Sequence, residues 1–61
     1  MKASEIREAR LKMGLTQEKF ASLVGVNSFT IHRWEKGQCK PSLLAEYRLN
    51  QVIKKWSDAR D

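Results

Sequence analysis

The chain has 61 residues, a formal net charge of +5 and a pI near 9.8. A chain of this length forms one small domain that buries only about 60% of the surface it exposes when unfolded. One cysteine, Cys39, and one histidine, His32, exclude an intrachain disulfide and a tetrahedral zinc site, so no cofactor is expected. The charged start and the lack of a long apolar run argue against a signal peptide and a membrane span, and predict a cytoplasmic protein.

Four helices are predicted, at about residues 4–13, 17–24, 28–36 and 43–56, with the glycines and the proline between them. In the first helix, Ser4 is the expected N-cap and Gly14 the expected stop. Its inner face holds apolar residues and one charged residue: Ile6, Ala9, Arg10 and Met13. A half-buried arginine needs a carboxylate partner elsewhere in the fold, because an unpaired buried charge is costly.

The second and third helices are short, and a tight turn beginning at Gly25 joins them. Thr16 and Asn27 are their expected N-caps. Gly25 permits a positive φ, Ala21 lets the two helices cross closely, and Ile31 fills the wedge between them. Other apolar residues are expected to complete the buried side: Phe20, Leu23, Val24 and Trp34. This arrangement is typical of a helix-turn-helix.

The fourth helix follows Pro41, which stops any helical continuation, and Ser42, which can cap it. An apolar stripe at helical spacing predicts its buried side: Ala45, Leu49, Val52, Ile53 and Trp56. Three residues near its start stay spare and offer one dimer surface: Leu43, Leu44 and Tyr47.

The stretch LTQEKFASLVGVNSFTIHRWEKG, followed by KPS, resembles the phage-repressor and Cro-like helix-turn-helix family. The resemblance covers residues 5–56 and implies an all-α fold. That fold is a compact bundle of four or five helices, with the helix-turn-helix formed by helices 2 and 3, in a single DNA-binding domain over residues 1–61. The family's usual internal ion pair would join Arg10 to Glu35.

The resemblance also implies which side chains would contact DNA. Base contacts fall at the start of the third helix and one turn on: Asn27, Ser28, Phe29, His32 and Arg33. Phosphate contacts flank them: Thr16, Gln17, Lys36, Gln38 and Lys40. Six residues have a structural role and hold the second and third helices in position: Arg10, Glu35, Ala21, Gly25, Ile31 and Trp34. Arg33 is the strongest base-contact candidate, because a guanidinium can donate to both O6 and N7 of guanine.

Phe29 departs from the family's preference for a polar residue at its position. A phenyl ring makes no hydrogen bond, but it can pack against a thymine methyl group in the major groove. Two alternatives stay open at this point: packing of the ring into the protein core, and contact with a protein partner.

The predicted function is sequence-specific binding of double-stranded DNA by a transcriptional regulator acting as a repressor. A homodimer would place two third helices in successive major grooves of a palindromic operator. One alternative is a protein-interaction module of the antitoxin type. Antitoxins of this type have the same fold and bind a toxin. Another is a DNA-binding domain cut from a longer regulator. An enzyme is not expected, because the chain lacks a nucleophile–base pair, a metal cluster and a phosphate loop.

Overall fold

The computed structural model describes residues 1–59, which form four helices: α1 (Ala3–Lys12), α2 (Gln17–Val24), α3 (Ser28–Glu35) and α4 (Leu43–Ala59). The described part of the chain contains no strand, so the all-α prediction is confirmed. Helices α2 and α3 pack on each other, α1 contacts α3, and α4 contacts α2. The side of α3 that carries Phe29 and Arg33 is exposed.

Every helix contributes to one apolar core. Its buried residues are Ile6, Phe20, Ala21, Val24, Ile31, Trp34, Ala45 and Leu49. Phe20 of α2 and Ile31 of α3 are fully buried at the crossing of these helices. Ala21 is only 2% exposed there, and its single methyl group lets the two helix axes approach.

Local hydrogen bonds define α2. The hydroxyl of Thr16 accepts a hydrogen bond from the Lys19 backbone N–H at 3.1 Å, which confirms Thr16 as the N-cap. The helix ends at Gly25, whose φ of 92° lies in the left-handed region that favours glycine. A Cβ at this glycine would lie 3.2 Å from Nη1 of Arg48, so the side chain of this α4 residue lies close to the turn.

Asn27 caps α3, as predicted. Its side-chain Oδ1 accepts hydrogen bonds from both the backbone N–H and the hydroxyl of Thr30, each at 2.8 Å. Two bonds to one oxygen fix the first turn of α3, and Asn27 itself is exposed.

The prediction for the start of α1 is wrong. The helix begins at Ala3 with Lys2, not Ser4, at the N-cap position. Glu5 accounts for the difference, because its carboxylate accepts a hydrogen bond from the Lys2 backbone N–H at 2.6 Å. The acidic side chain thereby satisfies a free donor without a capping hydroxyl.

Three further helix boundaries differ from the prediction, and one residue that was predicted to be buried is exposed. Helices α1 and α3 each end one residue earlier than predicted, at Lys12 and Glu35. Helix α4 continues to Ala59, because neither glycine nor proline follows Trp56 to stop it. Leu23 is 57% exposed and borders an open groove, because the buried stripe of α2 is centred on the opposite edge.

Candidate nucleic-acid interface

Helix α3 has one buried side and one open side. Ile31 is fully buried and Trp34 is 5% exposed, so both point into the core. Phe29 lies two residues before Ile31, about 200° around the helix, and is 64% exposed. The alternative that Phe29 packs into the core is therefore wrong, and its ring points away from the bundle.

Arg33 lies one turn after Phe29 on the same open side. Its guanidinium carbon Cζ is 5.7 Å from the centroid of the Phe29 ring. This distance falls within the range of about 6 Å at which a cation is attracted to a ring face. The two most prominent side chains of the open side thus contact each other.

The other predicted base contacts are distributed around this pair. Asn27 is exposed, and Ser28 and His32 are half-buried. Ser28 borders a shallow depression that it shares with Thr16 and Gln17 at the start of α2. His32 lines the next depression along the surface, together with Gln17 and Lys36.

The predicted phosphate contacts fall into two groups. Thr16 and Gln17 lie at the first turn of α2, where free backbone N–H groups favour an anion. Lys36, Gln38 and Lys40 are exposed in the segment after α3. Lys40 borders a separate depression that includes Glu46, so the structure does not bring it together with the α2 group.

An ion pair connects α1 to α3 behind this surface. Arg10 Nε donates to Glu35 Oε2 at 2.6 Å and Arg10 Nη2 to Glu35 Oε1 at 3.1 Å. Nη1 of the same guanidinium donates to the Leu15 carbonyl oxygen at 3.0 Å. The two charged side chains are only 13% and 6% exposed. This bidentate geometry compensates for their removal from water.

Gln17 has a second contact that the sequence did not indicate. Its Nε2 donates to Glu35 Oε1 at 3.3 Å, so the ion pair also fixes the start of α2 against α3. The residues are 18 positions apart, and no local pattern links them. Arg7 was also missed as a surface cation beside His32 and Lys36. Its spacing of three from Arg10 on α1 was the available signal.

The described residues contain neither a metal-binding cluster nor a membrane-spanning helix. Within residues 1–59, no group of three His, Cys, Asp or Glu side chains is placed to hold a metal ion. No helix over the same range has the length and apolar character needed to cross a membrane.

Two short helices that cross at an alanine, with a left-handed glycine between them and an open second helix, define a helix-turn-helix. The sequence profile of a helix-turn-helix family matches residues 6–53. This is most of the chain, and the protein belongs to that family of DNA-binding regulators. The resemblance seen in the sequence is thereby confirmed.

Similar proteins occur in archaea. An uncharacterized HTH-type transcriptional regulator of Methanothermobacter thermautotrophicus is 46% identical over 48 residues, covering 79% of this chain and 70% of the relative. A protein of Archaeoglobus fulgidus with the same description is 47% identical over 50 residues, covering 82% of this chain and 71% of its own length.

One similar protein is an enzyme. The type II methyltransferase M.SsoII of Shigella sonnei is 40% identical over 43 residues, which are 66% of this chain but 11% of the methyltransferase. The similarity is thus to a small part of that protein, and the family matched is of a DNA-binding regulator type rather than an enzymatic one. No solved structure matches the chain at a significant level.

Proposed function

We propose that this protein binds double-stranded DNA sequence-specifically by inserting α3 into the major groove. The observation that carries the proposal is the open side of α3, on which Phe29 and Arg33 point away from the core. Ile31 and Trp34 anchor the opposite side of the same helix. Recognition side chains are thus presented on a rigid element, as base contacts require.

Size and charge support this docking. A helix with its side chains is about 10–12 Å wide, and the major groove of B-DNA is about 12 Å wide. Exposed cations border the entering helix, namely Arg33, Lys36 and Lys40. Their charge favours the phosphate backbone and accords with the net charge of +5.

Each group of residues has a separate role in the proposal. Arg33 donates to guanine, Phe29 packs on a methyl group, and Ser28 bonds to a neighbouring base edge. Asn27 and His32 lie beside them, and the side-chain NH2 group of Asn27 donates to a base or a phosphate. Phosphates are held by Thr16, Gln17, Lys36, Gln38 and Lys40, which set register and affinity but not sequence.

The proposed regulatory role depends on two copies of the protein bound symmetrically to one operator. Two copies bound to a palindromic operator would place their α3 helices about 34 Å apart, one helical turn of DNA. Bound in this way, the protein represses transcription by excluding polymerase from the promoter. The exposed apolar residues at the start of α4 would supply the contact between copies: Leu43, Leu44 and Tyr47.

Selection of bound duplexes from a random pool tests the proposal. The wild-type protein should enrich one consensus that contains a guanine. Arg33→Ala should enrich a consensus that is degenerate at that guanine, because one bidentate contact discriminates by roughly 1–3 kcal/mol. A pool in which wild type enriches nothing above non-specific binding would rule out the proposed function.

Salt titration tests the phosphate contacts. Log affinity should fall steeply with log salt concentration, because bound cations release counterions from DNA. Lys40→Ala should reduce the slope by about one unit, whereas the consensus should stay the same. An unchanged slope would remove Lys40 from the phosphate contacts, and Lys54→Ala on the exposed side of α4 serves as the control.

A second candidate function is binding of another protein, such as a toxin. The observation that favours it is Leu43, which is 87% exposed and adjoins two further exposed apolar residues, Leu44 and Tyr47. Leu44→Glu should abolish protein association and leave binding of a single half-site unchanged. Sedimentation of the protein alone measures association between copies, co-purification from the native host measures association with another protein, and sedimentation with a half-site duplex measures DNA binding. If the charge disturbs neither, the start of α4 is not an interface.

A further inference from the structure

Phe29 and Arg33 form one surface on α3 rather than two independent contacts. They lie four residues apart, and the guanidinium carbon is 5.7 Å from the ring centroid. Phe29 is 64% exposed in the free protein, so most of the surface of this residue is available to a ligand. The guanidinium beside it keeps its donors, because a cation over a ring face uses no hydrogen bond.

The backbone beneath the pair is held in place. Asn27 fixes the first turn of α3 through its two hydrogen bonds to Thr30. Ile31 and Trp34 fix the rotation of the helix by their burial. The direction in which Phe29 and Arg33 leave the helix is therefore set before any ligand binds, which lowers the entropy lost on binding.

The chemistry of the pair specifies what it can contact. A phenyl ring cannot distinguish an oxygen from an amino group at pyrimidine position 4, because it forms no hydrogen bond with either. It can detect only the 5-methyl group, which projects into the major groove. Thymine and 5-methylcytosine carry that methyl group, whereas uracil and cytosine lack it.

The spacing of the pair places the two contacts close together on DNA. The separation of 5.7 Å lies between one and two base-pair steps of about 3.4 Å. If the pair keeps this separation when α3 lies in the groove, a methyl group under the ring and a guanine under the guanidinium would lie within about two base pairs of each other. The contact with the ring also favours rotamers of Arg33 that keep the guanidinium beside Phe29.

We propose that Phe29 and Arg33 together recognise a 5-methylpyrimidine within two base pairs of a guanine. Thymine and 5-methylcytosine are accepted at the same position, and uracil and cytosine are disfavoured. Binding therefore responds to cytosine methylation wherever the operator offers cytosine at that position. The inference rests on the proposed function, since it requires that α3 enters the major groove.

The experiment uses the duplex enriched by the wild-type protein. Four versions differ only at one base pair near the guanine. Its pyrimidine is thymine or uracil opposite adenine, or cytosine or 5-methylcytosine opposite guanine, so each comparison for the methyl group is made within one kind of base pair. Loss of the methyl group should weaken wild-type binding about three- to fivefold, from the transfer free energy of one such group. Affinity for 5-methylcytosine should exceed that for cytosine by the same factor.

Three variants assign the effect to the pair. Phe29→Ala should bind thymine and uracil duplexes equally, and likewise the two cytosine duplexes. Phe29→Leu keeps an apolar side chain without a ring face, so it should retain part of the methyl preference and lose part of the guanine preference. The matched control is Leu11→Ala on α1, where the side chain is 56% exposed, and it should behave as wild type.

The outcomes separate the inference from the proposed function. If no duplex is enriched, the proposed function itself fails. If a duplex is enriched but has no thymine near the guanine, or tolerates uracil at every such thymine, Phe29 does not contact a methyl group. A uracil penalty that persists in Phe29→Ala assigns the methyl contact to another residue. A guanine preference unchanged in Phe29→Leu shows that Arg33 acts alone. Each of the last three results overturns the inference that Phe29 and Arg33 act as a pair.

Discussion

The inner side of the helix bundle and the outer side of α3 contain the same two residue types in opposite surroundings. On the inner side, Phe20 is fully buried and Arg10 is held by Glu35. On the outer side, Phe29 is 64% exposed and Arg33 lies over its ring. The role of a phenylalanine or an arginine in this protein therefore depends on its burial and on the groups it contacts, and not on the residue type alone.

The inner residues stabilise the fold, and the outer residues are available for recognition. The inner arginine has carboxylate and carbonyl partners that use its donors, so it has little left for a ligand. The outer arginine lies over an aromatic face, and within residues 1–59 no carboxylate or carbonyl oxygen accepts a hydrogen bond from its donors. Substitutions on the inner side should change the free energy of unfolding, and those on the outer side should change binding.

The largest expected effect is at Phe20. Phe20→Ala should destabilise the protein by about 3–5 kcal/mol, because it leaves a cavity in the core to which all four helices contribute. A domain of this size has only ~3–9 kcal/mol of stability, so Phe20→Leu, with a loss of about 1 kcal/mol, keeps the effect measurable. Urea unfolding measures both. Leu23→Ala on the exposed edge of α2 is the control, and equal losses at Phe20 and Leu23 would contradict the assignment of the core.

Arg10 should rank second. Arg10→Met should cost about 3 kcal/mol, because it leaves the carboxylate of Glu35 buried without its cation. The double variant Arg10→Met with Glu35→Leu should recover much of that loss, since apolar residues often replace a buried pair without penalty. Thermal or urea unfolding decides this. A double variant as unstable as Arg10→Met would show that the unpaired charge is not the cause.

Gly25 should have an intermediate effect. Gly25→Ala should cost about 1–3 kcal/mol, because φ is 92° and a side chain there is strained. Gly25→Asn should cost less, since asparagine tolerates the left-handed region better. If alanine and asparagine destabilise equally, the neighbouring Arg48 rather than backbone strain sets the cost.

Phe29 should have the smallest effect on stability. Phe29→Ala should change the free energy of unfolding by at most about 0.5–1 kcal/mol, the contribution of an exposed cation–ring contact. The same variant is expected to lose methyl discrimination on DNA. The comparison with Phe20 would fail if unfolding of Phe29→Ala showed a loss of several kcal/mol.

Features that depend on adjacent residues could be predicted from the sequence. The caps Thr16 and Asn27 were found because their side chains bond to backbone N–H groups three residues on. The start of α1 was missed, since Ser4 has the better capping side chain and Glu5 supplies the bond instead. Local chemistry offered two solutions there, and the sequence did not distinguish them.

Features that depend on distant residues were harder to predict. The bond from Gln17 to Glu35 joins residues 18 positions apart, and only the packing of α2 on α3 brings them together. For Phe29 the alternatives stayed open because an exposed aromatic ring has no local signature. Packing excluded only the core alternative, since Ile31 and Trp34 already fill the inner side of α3. The DNA contacts themselves stay predictions.

The cap of α3 has a consequence for how such a protein can change over evolutionary time. The first turn is secured by Asn27 and Thr30, not by Ser28 or Phe29, which lie between them. Mutations at the two intervening positions need not weaken the start of the helix. A lineage could therefore acquire a new operator by altering those side chains while the bundle beneath them keeps its stability.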